Sequence, residues 1–324
     1  MTTNSASKVC ELTGLSAASP ICFMAALGLL RVCSQDHGLD LRLSWAHGHA
    51  RLHGVDIKDL TELLAQHMRG RSVAPEFNFL VTDDKGVRGP VMHLRTIPPG
   101  DYRAAVASCQ TDLRALGFLA GFGTDAVIND KGFIARSRFD FSSGQQRLVD
   151  EFRSLAAMLD PAARRQRVPL ANRIDRALLG GPYEEQHTLG WDPASLMTHA
   201  HQAAAPTDSA TPGQPMTIWL AVEALPLHPV VPIGPQRART TGFAGTSAYC
   251  WPSWNEPLNL AEVTVLRHRP VETLDRLPGV TEVWTSQVIS VGKYGFLSPA
   301  ARTPSGAAHG GRYARAETVA KSTG

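Results

Sequence analysis

The sequence predicts an α+β fold: a mixed, mostly antiparallel sheet with helices packed on one side and an irregular C-terminal lobe. Two patterns lead to this prediction. Short segments bounded by turns alternate apolar and polar residues, most clearly at 133–141, which is typical of strands with one buried face. Other segments place apolar residues at helical spacing after a capping residue, such as Ser19 before Pro20. These elements alternate without the regular spacing of parallel βαβ units.

The first 200 or so residues predict strands and helices in succession. A strand at 11–15 precedes a helix from Pro20 to about Ser34. The later predicted elements are a hairpin of residues 39–45 and 50–55, a helix at 57–68 capped by Asp56, a strand at 77–82, a helix from Asp101 to about 122, and a helix that begins after Ser143.

The stretch at 217–254 is the one around which we expect the rest of the chain to be organised. Its apolar run at 218–225 predicts a short buried helix. Pro226, Pro229 and Pro232 then forbid regular helix, so an extended segment follows.

Two further features of this stretch concern burial. Glu223 lies inside the apolar run and needs a partner when buried, for which Arg237 and Arg239 are the candidates; a structural ion pair is expected. Trp251 and Trp254 flank a proline, and two interpretations remain open: interface anchors or core residues.

Composition shifts suggest four segments. Residues 1–202 form the α+β body, 203–216 a surface loop or linker rich in small residues and proline, and 217–299 the C-terminal lobe packed on the body. Residues 300–324 predict a basic, disordered tail, because glycine, alanine and serine predominate there.

The overall composition excludes some classes and decides little else. The 324 residues are 43% hydrophobic and carry a formal net charge of +3, too weak to identify a partner without local clustering of arginines. Five widely spaced cysteines form no disulfide framework or zinc frame, which favours a cytoplasmic protein. The apolar run at 21–30 is too short to span a membrane. No cofactor, metal or small-molecule substrate is expected.

The candidate nucleic-acid-binding site follows the proline-rich segment. Arginines two apart on an extended chain point the same way, a glycine turn can offer backbone N–H groups, and an aromatic ring can stack on a base. The residues concerned are Arg237, Arg239, Thr240, Thr241 and Phe243. The alternative is a structural loop with Phe243 in the core.

Two other basic segments are further candidates. Arg136 and Arg138 share the polar face of the predicted strand at 133–141, and the alternative there is an ordinary solvated sheet face. The densest local positive charge is Arg164, Arg165, Arg167, Arg173 and Arg176, which could bind phosphate or form an ordinary basic face.

Common catalytic motifs are absent from the sequence. It contains no phosphate-binding P-loop, no H-E-x-x-H, no G-x-S-x-G and no His-Asp dipeptide, so no catalytic residues are assigned. The remaining enzyme hypothesis is a metal cluster drawn from His187, Asp192, His199 and His201, with Glu184 or Glu185.

Several blocks resemble accessory subunits from subtype I-U/I-G CRISPR-Cas loci, of the large-subunit or nuclease-extension kind. The blocks are "LAVEALPLHPVVP", "TTGF" and "WPSWNEPLNLAEV" in the C-terminal part, and "ELTGLSAASPICFMAALGLLR", "FSSGQQRLVDEF" and "LGWDP" before it. None of these blocks is a catalytic motif.

The resemblance implies a non-enzymatic subunit of a type I interference complex that takes part in antiviral defence. Its expected partners are guide RNA or target DNA and other CRISPR-Cas subunits, because such complexes read sequence by base pairing and backbone shape by protein. Two alternatives remain: a protein-only adaptor for the nuclease-helicase, and a metal-dependent nuclease.

Overall fold

The structure is a computed structural model that describes residues 8–83, 85–144, 146–163, 167–194, 212–292 and 294–303. Its helices are α1 (Pro20–Arg31), α2 (Ile57–His67), α3 (Pro75–Asn78), α4 (Pro99–Ser108), α5 (Leu113–Phe122), α6 (Leu148–Leu159), α7 (Leu170–Leu179), α8 (Pro215–Glu223) and α9 (Leu260–Arg267). A π-helical turn at Val32–Asp36 continues α1, and 3-10 turns lie at Arg71–Val73, Leu225–Leu227 and Val271–Arg276.

The strands pair into several sheets rather than one. They are β1 (Val9–Ser16), β2 (Arg42–Ala46), β3 (His49–His53), β4 (Leu80–Thr82), β5 (Arg88–Pro90), β6 (Gly123–Ile128), β7 (Ile134–Arg136), β8 (Glu184–Glu185), β9 (Pro212–Gly213), β10 (Val230–Gly234), β11 (Arg237–Thr240), β12 (Phe243–Ala244), β13 (Ala248–Trp254), β14 (Val280–Val291), β15 (Tyr294–Leu297) and β16 (Ala301–Arg302).

Antiparallel pairing holds for every strand pair in the described ranges. One sheet has the order β1-β3-β2, a larger one has the order β12-β13-β14-β15 with β16 also on β14, and the remaining strands form two-stranded ribbons. Together with the helices, this pairing confirms the predicted α+β class.

Helix α8, the predicted buried helix, packs against α1 at the centre of the molecule. All of its residues are buried, and so are almost all of those in α1. The two helices approach closely because Gly28 has no side chain: a Cβ atom placed there would lie 1.8 Å from the backbone oxygen of Leu220. The stretch that the sequence singled out is therefore part of the core.

A single hydrophobic cluster extends from β1 to β15. Trp251 and Trp254 belong to it, and their indole N–H groups donate to the backbone oxygens of Ala17 and Leu43 over 2.8 Å each. Of the two interpretations of these tryptophans, the structure supports core residues. The C-terminal part is also more regular than the sequence suggests, because β13 is buried along its whole length against β14.

Three local predictions are wrong. The helix expected from Asp101 to 122 is interrupted, because Asp112 caps α5, whereas the Asp101 carboxylate accepts a hydrogen bond from the backbone of Thr82. The strand expected at 77–82 begins as the helical turn α3. The strand expected at 133–141 is confined to β7, since the chain turns after it and carries Phe139 into the core.

The predicted linker and tail fall largely outside the described residues. Residues 203–211 and 304–324 lie there, whereas β9 pairs with β8 and the linker's last residues begin α8. The tail was expected to be disordered from residue 300, but β16 pairs with β14. No helix in the described ranges is long and apolar enough to cross a membrane.

Candidate nucleic-acid interface

The ribbon formed by β10 and β11 carries the first candidate site. Its strands pair antiparallel, with Val230 opposite Thr240 and Val231 opposite Arg239. Prolines in this segment prevent the helix before it from continuing. Both strands contact β6, so the ribbon lies against the body of the protein.

Arg237 and Arg239 are exposed on this ribbon. Because they are two residues apart on a strand, they share one face, as predicted. Ala238 between them is half-buried, on the opposite face. Neither guanidinium has a carboxylate partner in the part of the chain that the structure describes. Two unneutralised positive charges therefore face solvent side by side.

Arg136 and Arg138 lie beside the ribbon, so the structure joins two segments that the sequence treats separately. The backbone N–H of Arg138 donates to the Thr240 hydroxyl over 2.9 Å, and its guanidinium donates to the backbone oxygen of Thr246 over 2.6 Å. Arg136 pairs with Asp140 over 3.1 Å. Burial and the charge of Arg136 both lower the pKa of Arg138. We call Arg136, Arg138, Arg237 and Arg239 the arginine surface.

The other residues predicted for this site point into the core. Phe243 is 2% exposed, and its ring lies 5.0 Å from that of Phe139 and 5.4 Å from that of Tyr249. Thr240 and Thr241 are buried, and the Thr241 hydroxyl donates to the Pro229 backbone oxygen over 3.1 Å. The burial of these three side chains favours the alternative, a structural loop with Phe243 in the core, and their contact with nucleic acid stays a prediction.

A buried arginine supports the turn that follows the ribbon. Gly242 has a φ of 89°, and a Cβ atom there would lie 2.0 Å from a guanidinium nitrogen of Arg267. That guanidinium stacks on the rings of Phe23 and Tyr249, at 5.3 Å and 5.5 Å, and donates to the Cys250 backbone oxygen. Burial lowers the pKa of Arg267. Only glycine leaves room for this guanidinium, so Gly242 has a structural role in the turn.

The arginines of the basic segment after α6 that the structure describes do not form one surface. Arg164 and Arg165 lie outside the described residues, and Arg167 is exposed. Arg173 is 6% exposed and donates twice to the Glu184 carboxylate, at 2.7 Å and 3.0 Å. The Arg176 guanidinium lies 3.6 Å from the same carboxylate. Arg173 is therefore paired with a carboxylate, and phosphate binding by this segment stays a prediction.

A second group of charges lies in the core, around the fully buried Glu223. Its carboxylate accepts hydrogen bonds from Arg31, from Arg114 at 2.8 Å through each oxygen, and lies 3.0 Å from the His67 Nε2 atom. An ion pair was predicted, but with Arg237 or Arg239 as partner; that assignment is wrong because the ribbon carries those arginines to the surface.

Two more carboxylates complete this ion network. Asp36, at the end of the π-helical turn, accepts from Arg31 at 2.9 Å and from Arg114 at 2.6 Å. Glu76 accepts from Arg114 at 2.9 Å through one oxygen, while its other oxygen is buried with no hydrogen-bond partner among the described residues. Burial raises the pKa of Glu76, against the opposing charge of Arg114. The network joins α1, α2, α3, α5 and α8.

The ion network contains one possible set of metal ligands among the described residues. Asp36, His67 and Glu223 each offer a ligand atom, and these atoms lie within 4.8 Å of one another. The oxygens of both carboxylates already accept hydrogen bonds from guanidinium groups, and a divalent ion would have to displace those charges. The donor set therefore fits a salt-bridge network better than a metal centre. Of the sequence candidates for a metal, His199 and His201 lie outside the described residues.

Comparison with known proteins gives no assignment. No protein-family model matches the chain, and no curated protein matches it. The resemblance to CRISPR accessory subunits remains a hypothesis that rests on the sequence blocks quoted above.

Proposed function

We propose that this chain is a non-enzymatic, cytoplasmic subunit of a type I-U/I-G CRISPR-Cas interference complex. In this role it binds guide RNA or target DNA and neighbouring subunits. The sequence blocks supply the family hypothesis, and one structural observation carries the nucleic-acid hypothesis. Arg237 and Arg239 are exposed on one face of a ribbon that packs against the body, and neither pairs with a carboxylate among the described residues.

Unpaired arginines on a fixed ribbon suit phosphate groups for two reasons. A guanidinium offers two parallel N–H donors to phosphate oxygens and stays charged at any physiological pH. In addition, the ribbon is anchored by the hydrogen bond between Arg138 and Thr240, so little backbone freedom is lost on binding. Neutralising phosphates supplies most of the affinity in sequence-independent binding.

The adaptor hypothesis is supported by a different observation. Ile233 on β10 is 48% exposed and Ile128 on β6 is 42% exposed, and β10 contacts β6. Exposed apolar side chains beside arginines are also found in protein interfaces. A protein-only adaptor is therefore the second candidate.

Co-purification separates the two candidates. The full chain, expressed with the other subunits and a guide RNA, is expected to carry that RNA through purification, and the free chain to bind labelled RNA or DNA. The adaptor would be supported instead if the purified chain carries no RNA and binds neither labelled strand but still binds the nuclease-helicase. Cleavage of DNA that a chelator abolishes would support a nuclease.

A further inference from the structure

A groove lies between the chain that follows α1 and the first turns of α9. It has a volume of about 550 Å³ and is open to solvent along one side. Its apolar walls and two of its polar groups carry the inference: Leu39, Leu41, Leu260 and Ala261, with Ser34 and Asp40. No residue of the arginine surface lines this groove, which we call the α9 groove. It is therefore a separate candidate site.

Contacts to β2 fix the position of the α9 groove. Leu258, just before α9, exchanges two backbone hydrogen bonds with Leu43 of β2, at 2.8 Å and 2.9 Å. Asn259 and Glu262 form a capping box at the start of the helix, and Glu262 also pairs with Arg42 at 3.3 Å. A wall held in this way is preformed, so little conformational freedom is lost when a partner binds.

The exposed side of α9 extends the apolar wall. Ala261, Thr264 and Val265 recur at helical spacing, and His268 follows one turn later. Residues three and four apart lie on the same face of a helix. Val265 is 58% exposed on this face. The same spacing is used where an amphipathic helix packs its apolar face into a groove.

Charge limits what can occupy the α9 groove. Asp40 is its one charged lining residue, and it is exposed. Arg42, two residues further on, pairs with Glu262 instead. The Ser34 hydroxyl is buried with no hydrogen-bond partner among the described residues. An ammonium or guanidinium group can donate to a carboxylate and a hydroxyl, whereas a phosphate would be repelled by the carboxylate.

We infer that the α9 groove binds an amphipathic helix of another protein. Apolar side chains of that helix lie among the leucines and against Val265, and a lysine or arginine meets Asp40 and Ser34. A small molecule fits the site less well, because ligand pockets enclose about 70–90% of the ligand and this groove is open. The inference rests on the proposed function in one respect only, that the partner is a neighbouring subunit.

The first experiment measures peptide binding to the full chain by fluorescence anisotropy. The probe is a labelled helical peptide of about 18 residues, with leucines on one face and lysines on the other. A second peptide has glutamate in place of every lysine and should bind at least about tenfold more weakly, because like charges then face Asp40. Asp40→Asn should weaken binding of the lysine peptide by about two- to fivefold.

Two valine variants decide whether the peptide occupies the α9 groove. Val265→Asp places a charge in the apolar contact and should weaken binding by about tenfold or more. Val87→Asp is the matched control: Val87 is 62% exposed, just before β5, and the variant adds the same charge away from the groove. It should keep the parent affinity. Both variants should keep the parent melting temperature, since both side chains are exposed.

The second experiment identifies the partner in the co-expressed complex. A photo-crosslinking amino acid in place of Ala261 should join the chain to a helix of another subunit that carries lysine or arginine, as located by mass spectrometry. The inference is overturned if the lysine peptide does not bind, if the two valine variants bind it equally, or if the crosslink forms with nucleic acid; the proposed function then still stands. If the peptide binds as expected but no other subunit co-purifies, the proposed function fails and the groove remains a protein-docking site.

Discussion

The guanidinium of Arg31 on α1 donates to both the backbone oxygen of Glu223 on α8, over 2.6 Å, and the carboxylate of the same residue. Both side chains are completely buried. One arginine thereby satisfies the C-terminal end of the central helix and the charge that this helix brings into the core. The contact joins residues 192 positions apart in the chain.

Replacing Glu223 by leucine should strongly destabilise the protein. The variant leaves Arg31 and Arg114 buried with too few acceptors, and breaking a buried ion pair from one side costs about 3–5 kcal/mol. Urea unfolding followed by circular dichroism measures the change. As a control, Glu11→Ala removes an exposed pair with Arg51 and should cost at most about 1 kcal/mol. Equal losses in the two variants would contradict the stabilising role of the network.

The stability supplied by Glu223 should depend on pH. Burial alone would raise the pKa of this carboxyl, but the charges of Arg114, Arg31 and His67 hold it well below its usual range. A depressed pKa in the folded state contributes stability above the unfolded value, about 4.3, and that contribution is lost as pH falls below it. The difference in unfolding free energy between the parent and Glu223→Gln should therefore be largest at neutral pH and shrink in acid.

Glu76, in the same network, should give stability the opposite dependence on pH. Burial raises its pKa, so the folded state favours the protonated form. Relative to Glu76→Gln, the parent should therefore lose stability as pH rises through the interval between the unfolded value, about 4.3, and the raised folded value. The difference in unfolding free energy between the parent and each variant should thus change with pH in opposite directions for Glu223→Gln and Glu76→Gln. A change in the same direction would show that the assigned causes are wrong.

Features set by neighbouring residues could be predicted from the sequence. Ser19 accepts a hydrogen bond from the Cys22 backbone and begins α1, and Asp56 caps α2 in the same way, because a cap needs only the next helical turn. The face shared by Arg237 and Arg239 follows from strand geometry for the same reason.

Features that depend on distant residues could not be predicted. The partners of Glu223 lie at 31, 67 and 114, and nothing in the spacing of these residues indicates their contact. Charged residues inside apolar helices, such as Arg31, were the available signal. The burial of Phe243 was also undetermined, since Phe139 and Tyr249 pack on its ring from outside its own segment. Sequence patterns predict which face of a helix or strand is buried, but not which distant residues pack against that face.

Alanine at Gly28 should separate the central helices. The added Cβ atom would lie 1.8 Å from the Leu220 oxygen, which is backbone and cannot rotate away. Overpacking of this kind costs about 1–3 kcal/mol or more. The same substitution at Gly100 in α4 meets nothing within 4 Å and should be neutral or stabilising by up to about 1 kcal/mol. Thermal unfolding compares the two, and a Gly28→Ala variant as stable as Gly100→Ala would rule out the close helix contact.

The cysteines should react slowly in the native state. The structure contains five free cysteines, of which only Cys22 is not buried. Burial raises the pKa of the Cys33 thiol to about 12, so the reactive thiolate is scarce at neutral pH. A colorimetric disulfide reagent should modify the thiols quickly in urea and slowly without it. Rapid native labelling of Cys33, located by mass spectrometry, would contradict the burial of α1 and its π-helical extension.

Phe243 and Arg239 should respond in opposite ways, although only a short turn separates them. Phe243→Ala removes a ring packed against Phe139 and Tyr249, and large-to-small changes of a buried aromatic cost about 3–5 kcal/mol. Arg239→Ala removes an exposed side chain and should change stability by less than about 0.5 kcal/mol. Urea unfolding gives both values, and anisotropy with a labelled strand gives binding. Weaker binding is expected for Arg239→Ala alone at a temperature where both variants are folded. A Phe243→Ala variant that keeps its stability but loses binding would place the ring at the nucleic acid and overturn its assignment to the core.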